Sequence, residues 1–218
     1  MGKYRIAIII PAYNESNSIT GVVRTTLNYG SPIVVDDGST DDTAKKAAQA
    51  GAIVVKLPFN KGYDEALNAG FKKAKNLQFN ACVTFDADGQ HSPYDLPKFI
   101  FLLKKGTDIV IGERDYRPRV MERIFSLYTN LFLKVKDPFS GMKGYSMELY
   151  QKIGFFCRYK SLGTELMFNG IKNGFTFDHV QITVKKRLDQ SRLGNAFSAN
   201  CKIYIAIINY FFRKKVNI

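Results

Sequence analysis

A chain of 218 residues, 45% of them hydrophobic, can bury a substantial core, and its length favours one large domain over two small ones. The formal net charge of +13 biases it toward anionic partners, whether phospholipid surfaces, nucleic acid or phosphorylated small molecules. Cys82, Cys157 and Cys201 stand far apart in no paired spacing, which argues against a disulfide framework or a zinc knuckle and fits a reducing, cytosolic compartment.

The first apolar run, residues 6–10, ends at Pro11 with no cleavage-site pattern, so it reads as a strand buried on both faces rather than a signal peptide. Asn17 or Ser18 can cap a helix running toward Leu27, and residues 33–35 make a second short strand that stops at Asp36 and Asp37. Asp41 or Asp42 can open a helix that runs through Gln49 and is closed by Gly51. Residues 53–57 supply a third strand before the loop PFNKG, a helix covers residues 63–75, and strand 81–85 delivers Asp86. This alternation predicts an α/β fold with a mostly parallel central sheet flanked by helices.

After Gly112 the pattern shifts to longer, basic, aromatic-rich helices, yet no linker, repeat or low-complexity stretch marks a second domain. The chain therefore reads as one domain, 1–218, with halves at 1–112 and 113–194 and a basic amphipathic tail at 195–218. The tail's apolar stretch is interrupted by Asn200, Lys202 and Asn209 and falls short of the ~20 residues a spanning helix needs, so it is not expected to cross a bilayer.

Ligands of such sheets sit beyond the carboxyl ends of the strands, and PAYNE, DDGSTDD, NKG and DADGQ all follow strand ends, so they should converge on one crevice. Asp86 and Asp88 stand two residues apart at a strand end, where both carboxylates can meet one hard cation, Mg²⁺ or Mn²⁺. Such a cation would neutralise a diphosphate and stabilise the charge developing on it as a glycosyl bond breaks. The bland alternative is an Asp-Gly turn with solvated carboxylates. Asp36 and Asp37 can accept hydrogen bonds from a base edge or ribose hydroxyls, or can simply form the turn before a capped helix. In PAYNE, Pro11 is rigid, Tyr13 can pack on a base or ribose, and Glu15 can accept from a sugar hydroxyl.

Together PAYNE, VVDDGSTDDT, NKGYDEALNAG and DADGQH, in that order, resemble the family-2 glycosyltransferases, whose fold is GT-A, with a Rossmann-like nucleotide-binding half and an acceptor half. The resemblance implies that Pro11, Tyr13, Glu15, Asp36 and Asp37 hold a nucleotide sugar, with Lys61 of the NKG segment and Asp86 beside them. It also implies that Asp86 and Asp88 bind the cation and that Gln90, as in the dolichyl-phosphate mannosyltransferase-like branch, reaches it too. KDPFSGMKGYS and the stretch from Thr164 to Gly194 resemble that branch's later segments, with Lys186, Ser191 and Arg192 standing at its closing Arg, Ser and Lys and Asp189 replacing its Gly.

A lipid phosphate is already an anion and can attack the anomeric carbon without a general base, whereas a sugar hydroxyl needs one. In GTELMF the candidate base is Glu165 alone, where sugar-acceptor members place an Asp, which favours phosphate as nucleophile. Arg114, Arg117, Arg119 and Arg123 cluster after the strand that ends at Gly112, and Arg suits bidentate phosphate contact; an ordinary solvated helix face would look the same. Asp88, Arg114, Arg123 and Glu165 are thus the residues expected to bear on catalysis, and Arg114, Arg117, Arg123, Lys186, Ser191 and Arg192 those expected to bind the acceptor phosphate. Val120, Ile124, Leu127, Tyr128, Leu131 and Val135, broadened by Phe125 and Phe132, form a helical stripe that suits either a membrane interface or the core. His91 and His179 read as structural, and Cys82 as a core residue.

The expected function is inverting transfer of a hexose from a UDP- or GDP-linked donor to a polyprenyl or dolichyl phosphate, by a protein held peripherally on an anionic, cytosol-facing membrane surface. A saccharide acceptor is the alternative, and it would require Glu165 as base. A nucleic-acid partner is disfavoured because the acidic crevice would repel phosphate without metal. A nucleotidyltransferase would want a Gly-rich phosphate loop that PAYNESNS lacks.

Overall fold

A computed structural model describes residues 4–115, 119–159 and 161–185, together with Tyr204 and Ile207. Seven strands, β1 (Ile6–Ala12), β2 (Ser31–Asp36), β3 (Ile53–Lys56), β4 (Ala81–Thr84), β5 (Ile109–Arg114), β6 (Lys143–Ser146) and β7 (Phe177–Ile182), form one sheet in the order β3-β2-β1-β4-β6-β5-β7. Every strand runs parallel except β6, which pairs antiparallel with both β4 and β5. The β1-β2 register, Ile9 to Ile33 and Ala12 to Asp36, brings the ends of both strands to one edge.

The apolar runs are continuous because the sheet is covered on both sides. Ile6, Ile8 and Ile10 face a cluster with α1 (Ile19–Thr26), α2 (Thr43–Gln49) and α4 (Leu96–Lys104). Ala7 and Ile9 face the larger cluster with α3 (Tyr63–Asn76), α5 (Val120–Leu133), α6 (Met147–Ile153) and α7 (Glu165–Lys172). Helix α3 packs closest: a Cβ on Gly70 would lie 2.3 Å from Ile9 Cγ2, so only glycine lets the helix sit on β1. The next residue, Phe71, is fully buried among Tyr145, Tyr150 and Phe156 at ring-centroid distances of 5.7, 5.3 and 4.6 Å. Truncating such a ring to alanine typically costs about 3–5 kcal/mol.

The expected α/β class is therefore observed, and the elements read from the first half differ by at most two residues at their ends. What periodicity did not reveal is the short reversed strand β6, whose four residues KGYS carry no apolar alternation. The stripe read on α5 divides in two. Phe125 is 3% exposed and faces the core, and beyond the helix Val135 is also buried. Val120, Ile124, Leu127, Leu131 and Phe132 are 53–73% exposed on the outer face. Arg117, Lys186, Ser191 and Arg192 lie outside the described residues, as does the tail apart from Tyr204 and Ile207.

Candidate active site

The loops after β1, β2, β3 and β4 meet at the carboxyl edge, laced together by their own polar side chains. Asn14, in the left-handed region at φ 52°, accepts from Thr40 N through Oδ1 at 2.9 Å and donates its N–H to Ser39 Oγ at 2.9 Å. The Glu15 N–H donates to Thr43 Oγ1 at 2.8 Å, and Ser16 N–H to Asp41 Oδ2 at 3.1 Å. Burial acts to raise the Asp41 carboxyl, but hydrogen bonds from Thr43 and Ser16 outweigh it and hold the group at about 2. PAYNE and DDGSTDD are thus one structural unit, with Pro11 and Tyr13 half-buried on its surface.

Asp36 and Asp37 are both buried, and both hold loops. Asp36 Oδ1 accepts from Ser39 N at 3.1 Å, whereas the two oxygens of Asp37 accept from Lys61 N and Gly62 N at 2.7 and 2.8 Å. The sequence placed Asp37 directly on a nucleoside; the structure commits both of its oxygens to seating the NKG loop. Lys61 itself reaches back over the Phe59 ring, 5.2 Å from its centroid.

The DADGQH turn supplies the acidic centre. Gly89 turns it at φ 74°, and the Gln90 N–H donates to Asp88 Oδ1 at 3.0 Å. Gln90 Nε2 donates to the Lys185 carbonyl at 2.9 Å, so of its amide atoms the oxygen is the one that could meet a cation. Asp86 remains 32% exposed toward the crevice while its Oδ2 takes a 2.9 Å contact from His91 Nε2. Burial acts to raise the Asp86 carboxyl, but the hydrogen bond and charge of His91, with Lys143 and Arg114 beyond, bring it below the usual carboxylate range. Tyr63 is half-buried beside Asp86; desolvation, with the neighbouring carboxylates, pushes its phenol well above the ordinary value.

The backing of Asp86 is the segment before β6. A Cβ on Gly141 would stand 2.3 Å from Asp86 Oδ2 and 3.0 Å from His91 Nε2, so the carboxylate rests on bare backbone. Nearby, Lys143 is 3% exposed and donates to the Ser140 carbonyl at 2.6 Å. Desolvation lowers its ammonium to about 8 against the opposing pull of Asp137, Asp86 and Asp64. Among the described residues no three His, Cys, Asp or Glu side chains converge into a closed metal cage. The donor set of two carboxylates and one amide oxygen fits instead a Mg²⁺-like ion completed by a ligand's phosphates, the usual arrangement for that ion.

On the acceptor side the arginines are differently employed than their sequence clustering suggested. Arg114 forms a bidentate pair with Asp137, Nε to Oδ2 at 2.8 Å and Nη2 to Oδ1 at 2.9 Å, and Nη2 also meets Glu122 Oε2 at 3.3 Å. Arg119 Nη1 pairs with Glu122 Oε1 at 2.6 Å, and Arg123 is exposed on α5. Arg114 is thus a buried wall member rather than a solvated cation. Glu165 Oε2 accepts from the N–H groups of Arg158 and Tyr159 at 2.9 and 3.1 Å. The same loop is gripped by Asp64, which accepts from the N–H groups of Ser161, Leu162 and Gly163, and by Asn68, which accepts from those of Phe156 and Cys157. Burial nonetheless raises the Asp64 carboxyl.

His91, Tyr63, Asp137 and Lys143 were not read as site residues in sequence. The one available signal was position, since His91 closes DADGQH, Tyr63 stands in NKGYDEALNAG, and Asp137 and Lys143 stand in KDPFSGMKGYS.

Comparison with known proteins gives this geometry its setting. The model for "Glycosyl transferase family 2" matches residues 7–168. A UDP-N-acetylglucosamine–dolichyl-phosphate N-acetylglucosaminyltransferase of Methanococcus voltae is 37% identical over 139 residues, which cover 55% of this chain and 55% of that protein. A polyprenol monophosphomannose synthase of Mycolicibacterium smegmatis is 27% identical over 212 residues, 84% of this chain and 78% of that one. Among solved structures, glucosyl-3-phosphoglycerate synthase from Mycobacterium tuberculosis, in complex with Mn²⁺, UDP and glucosyl-3-phosphoglycerate, superposes with a TM-score of 0.76 at 20% identity, covering 99% of this chain and 78–81% of that fold in related complexes. The sheet is that of the GT-A glycosyltransferases, and the chain belongs to glycosyl transferase family 2.

Proposed function

We propose that this glycosyltransferase moves a hexose from a UDP- or GDP-linked donor to a polyprenyl phosphate, with Mg²⁺ or Mn²⁺ held by Asp86, Asp88 and the amide oxygen of Gln90. The cation, when bound, offsets the charge that grows on the leaving diphosphate. The chain's own residues do the rest. His91 and the Gly141 backbone fix the Asp86 carboxylate, Asp37 seats the NKG loop, and the Gln90–Lys185 contacts aim the amide oxygen. The M. voltae and M. smegmatis relatives, named for dolichyl-phosphate and polyprenol substrates, support the lipid acceptor.

The observation that carries the acceptor reading is the engagement of Glu165. Both N–H groups of the Arg158-Tyr159 turn converge on one of its oxygens, so it serves as a loop anchor, and an ionised phosphate needs no base. A single displacement of that kind inverts the anomeric centre. The outer face of α5, with the net charge of +13, supports a peripheral site on an anionic, cytosol-facing membrane; among the described residues no helix is long and apolar enough to cross one. Incubation with radiolabelled UDP- and GDP-hexoses and either undecaprenyl phosphate, dolichyl phosphate or an oligosaccharide tests the reading. Label in the lipid fraction is the expected result. Label in the oligosaccharide alone would replace the lipid acceptor with a saccharide.

A further inference from the structure

Across β5 from Arg114 lies a cluster, centred on the buried Glu113, that the reaction above does not use. Glu113 is 4% exposed, and its Oε1 lies 2.9 Å from His179 Nδ1 and 3.4 Å from Lys136 Nζ, while Oε2 accepts from Gln181 Nε2 at 3.2 Å. The other ring nitrogen of His179, Nε2, lies 2.9 Å from the carbonyl oxygen of Lys134, the residue that ends α5 at φ 58°. The imidazole ring thus spans from the Glu113 carboxylate to the carbonyl at the end of α5. The Nδ1 contact has the distance of an ion pair without the alignment of a hydrogen bond.

Consecutive strand residues face opposite sides of a sheet. Glu113 therefore takes Lys136 on one side of β5 while Arg114 takes Asp137 on the other, and the loop after α5 is gripped across the strand end by charges of alternating sign. From Asp137 the chain runs through Ser140, whose N–H reaches the Asp137 carbonyl at 3.4 Å, to Gly141, the backbone on which Asp86 rests. Lys143 N–H then donates to Thr84 Oγ1 at 3.0 Å and closes the segment onto β4. One end of this segment is held by Glu113 and His179; the other forms the seat of Asp86.

The geometry points to Glu113 and His179 as a positioning pair for the cation site: a histidine–carboxylate clasp that sets segment 134–141 and, through it, the backing of Asp86. This rests on reading Asp86 as a cation ligand. Beside the pair stand Lys136 from the loop after α5 and the neighbouring Asp178 on β7, whose Oδ1 accepts the His179 N–H at 2.7 Å.

The test is calorimetric titration of the full chain with Mn²⁺ and either UDP or GDP for wild type, His179→Phe, His179→Gln and Glu113→Gln. Wild type should bind one of the two nucleotides, and only with Mn²⁺. His179→Phe should weaken that binding about tenfold with an unchanged circular dichroism spectrum, the low end of what supporting residues around metal ligands contribute. His179→Gln, which keeps a donor for the Lys134 carbonyl, should recover to within about threefold. Mn²⁺-dependent affinity in His179→Phe equal to wild type, with only its Tm lowered, would reduce the clasp to a stabilising contact. Should His179→Phe fail to fold, wild-type Mn²⁺-dependent affinity in Glu113→Gln would overturn the proposal equally. Absence of Mn²⁺-dependent binding of either nucleotide in wild type itself would overturn the cation assignment, and the clasp's role with it.

Discussion

Gln90 and Lys185 are tied by a reciprocal pair of hydrogen bonds, Gln90 Nε2 to the Lys185 carbonyl at 2.9 Å and Lys185 N–H to the Gln90 carbonyl at 2.9 Å. With the bridge between His91 and Val184, they join the acidic turn to the strand that leaves β7. In the cation site proposed above Gln90 is thus aimed in advance by the fold, and ligand orientation by such outer contacts is worth about 10–100-fold in affinity or activity.

Asp88→Ala should abolish transfer with the fold intact, and EDTA should do the same reversibly. The thermal stabilisation that UDP confers, about 2.7 kcal/mol at a hundredfold excess over Kd, should disappear with the metal. Thermal shift with and without Mn²⁺ measures this. Substantial turnover by Asp88→Ala would remove these carboxylates from the reaction.

Glu165→Gln should leave transfer to a lipid phosphate within about tenfold of wild type, because loss of a true general base costs about 10²–10⁴-fold. Its measurable effect should be on stability, about 1–2 kcal/mol, since two hydrogen bonds from the Arg158-Tyr159 turn lose a charged acceptor. Steady-state kinetics beside urea unfolding separates the two. A thousandfold loss of kcat at unchanged stability would restore Glu165 as the base.

The convergence of PAYNE, DDGSTDD, NKG and DADGQ was legible because a parallel sheet brings strand ends to one edge, and the place of Asp86 and Asp88 just beyond β4 was legible because an apolar strand runs straight into them. Arg114 was not, because its partner Asp137 lies 23 residues on and nothing local announces the pair. Asp37 was half legible: its place at the strand end is local, but its grip on Lys61 and Gly62 depends on how the next loop folds back. Lys143 was hidden by its setting, a lysine in a four-residue strand that reads as surface and is buried.

Lys143 also gives a signed dependence on pH. Its ammonium is lowered from 10.5 to about 8 by burial, so between about pH 8 and 10.5 the unfolded chain binds the extra proton and stability rises with pH. Below pH 8 the penalty for the buried charge is present in full. Urea midpoints measured from pH 7.5 to 10 should therefore climb more steeply for wild type than for Lys143→Met. Superimposable slopes would show that the ammonium is not desolvated as the structure has it.

The outer face of α5 yields the last prediction. Leu127 and Leu131, 72% and 73% exposed, stand one turn apart, and Ile124 and Phe132 continue the same surface, while Phe125 and Thr129 hold the opposite side of the helix in the core. Because the two outer leucines contribute little to the core, Leu127→Glu with Leu131→Glu should leave the fold and the Mn²⁺-dependent binding of UDP unchanged. On an anionic bilayer the same pair removes apolar area worth roughly 25 cal/mol per Å² and adds two like charges against the lipid. Sedimentation with phosphatidylglycerol vesicles should show wild type in the pellet and the double variant in the supernatant, with transfer to vesicle-borne polyprenyl phosphate falling in step and transfer to a short, water-soluble prenyl phosphate preserved. Equal sedimentation of the two proteins would take α5 out of membrane binding and leave its apolar face to some other contact.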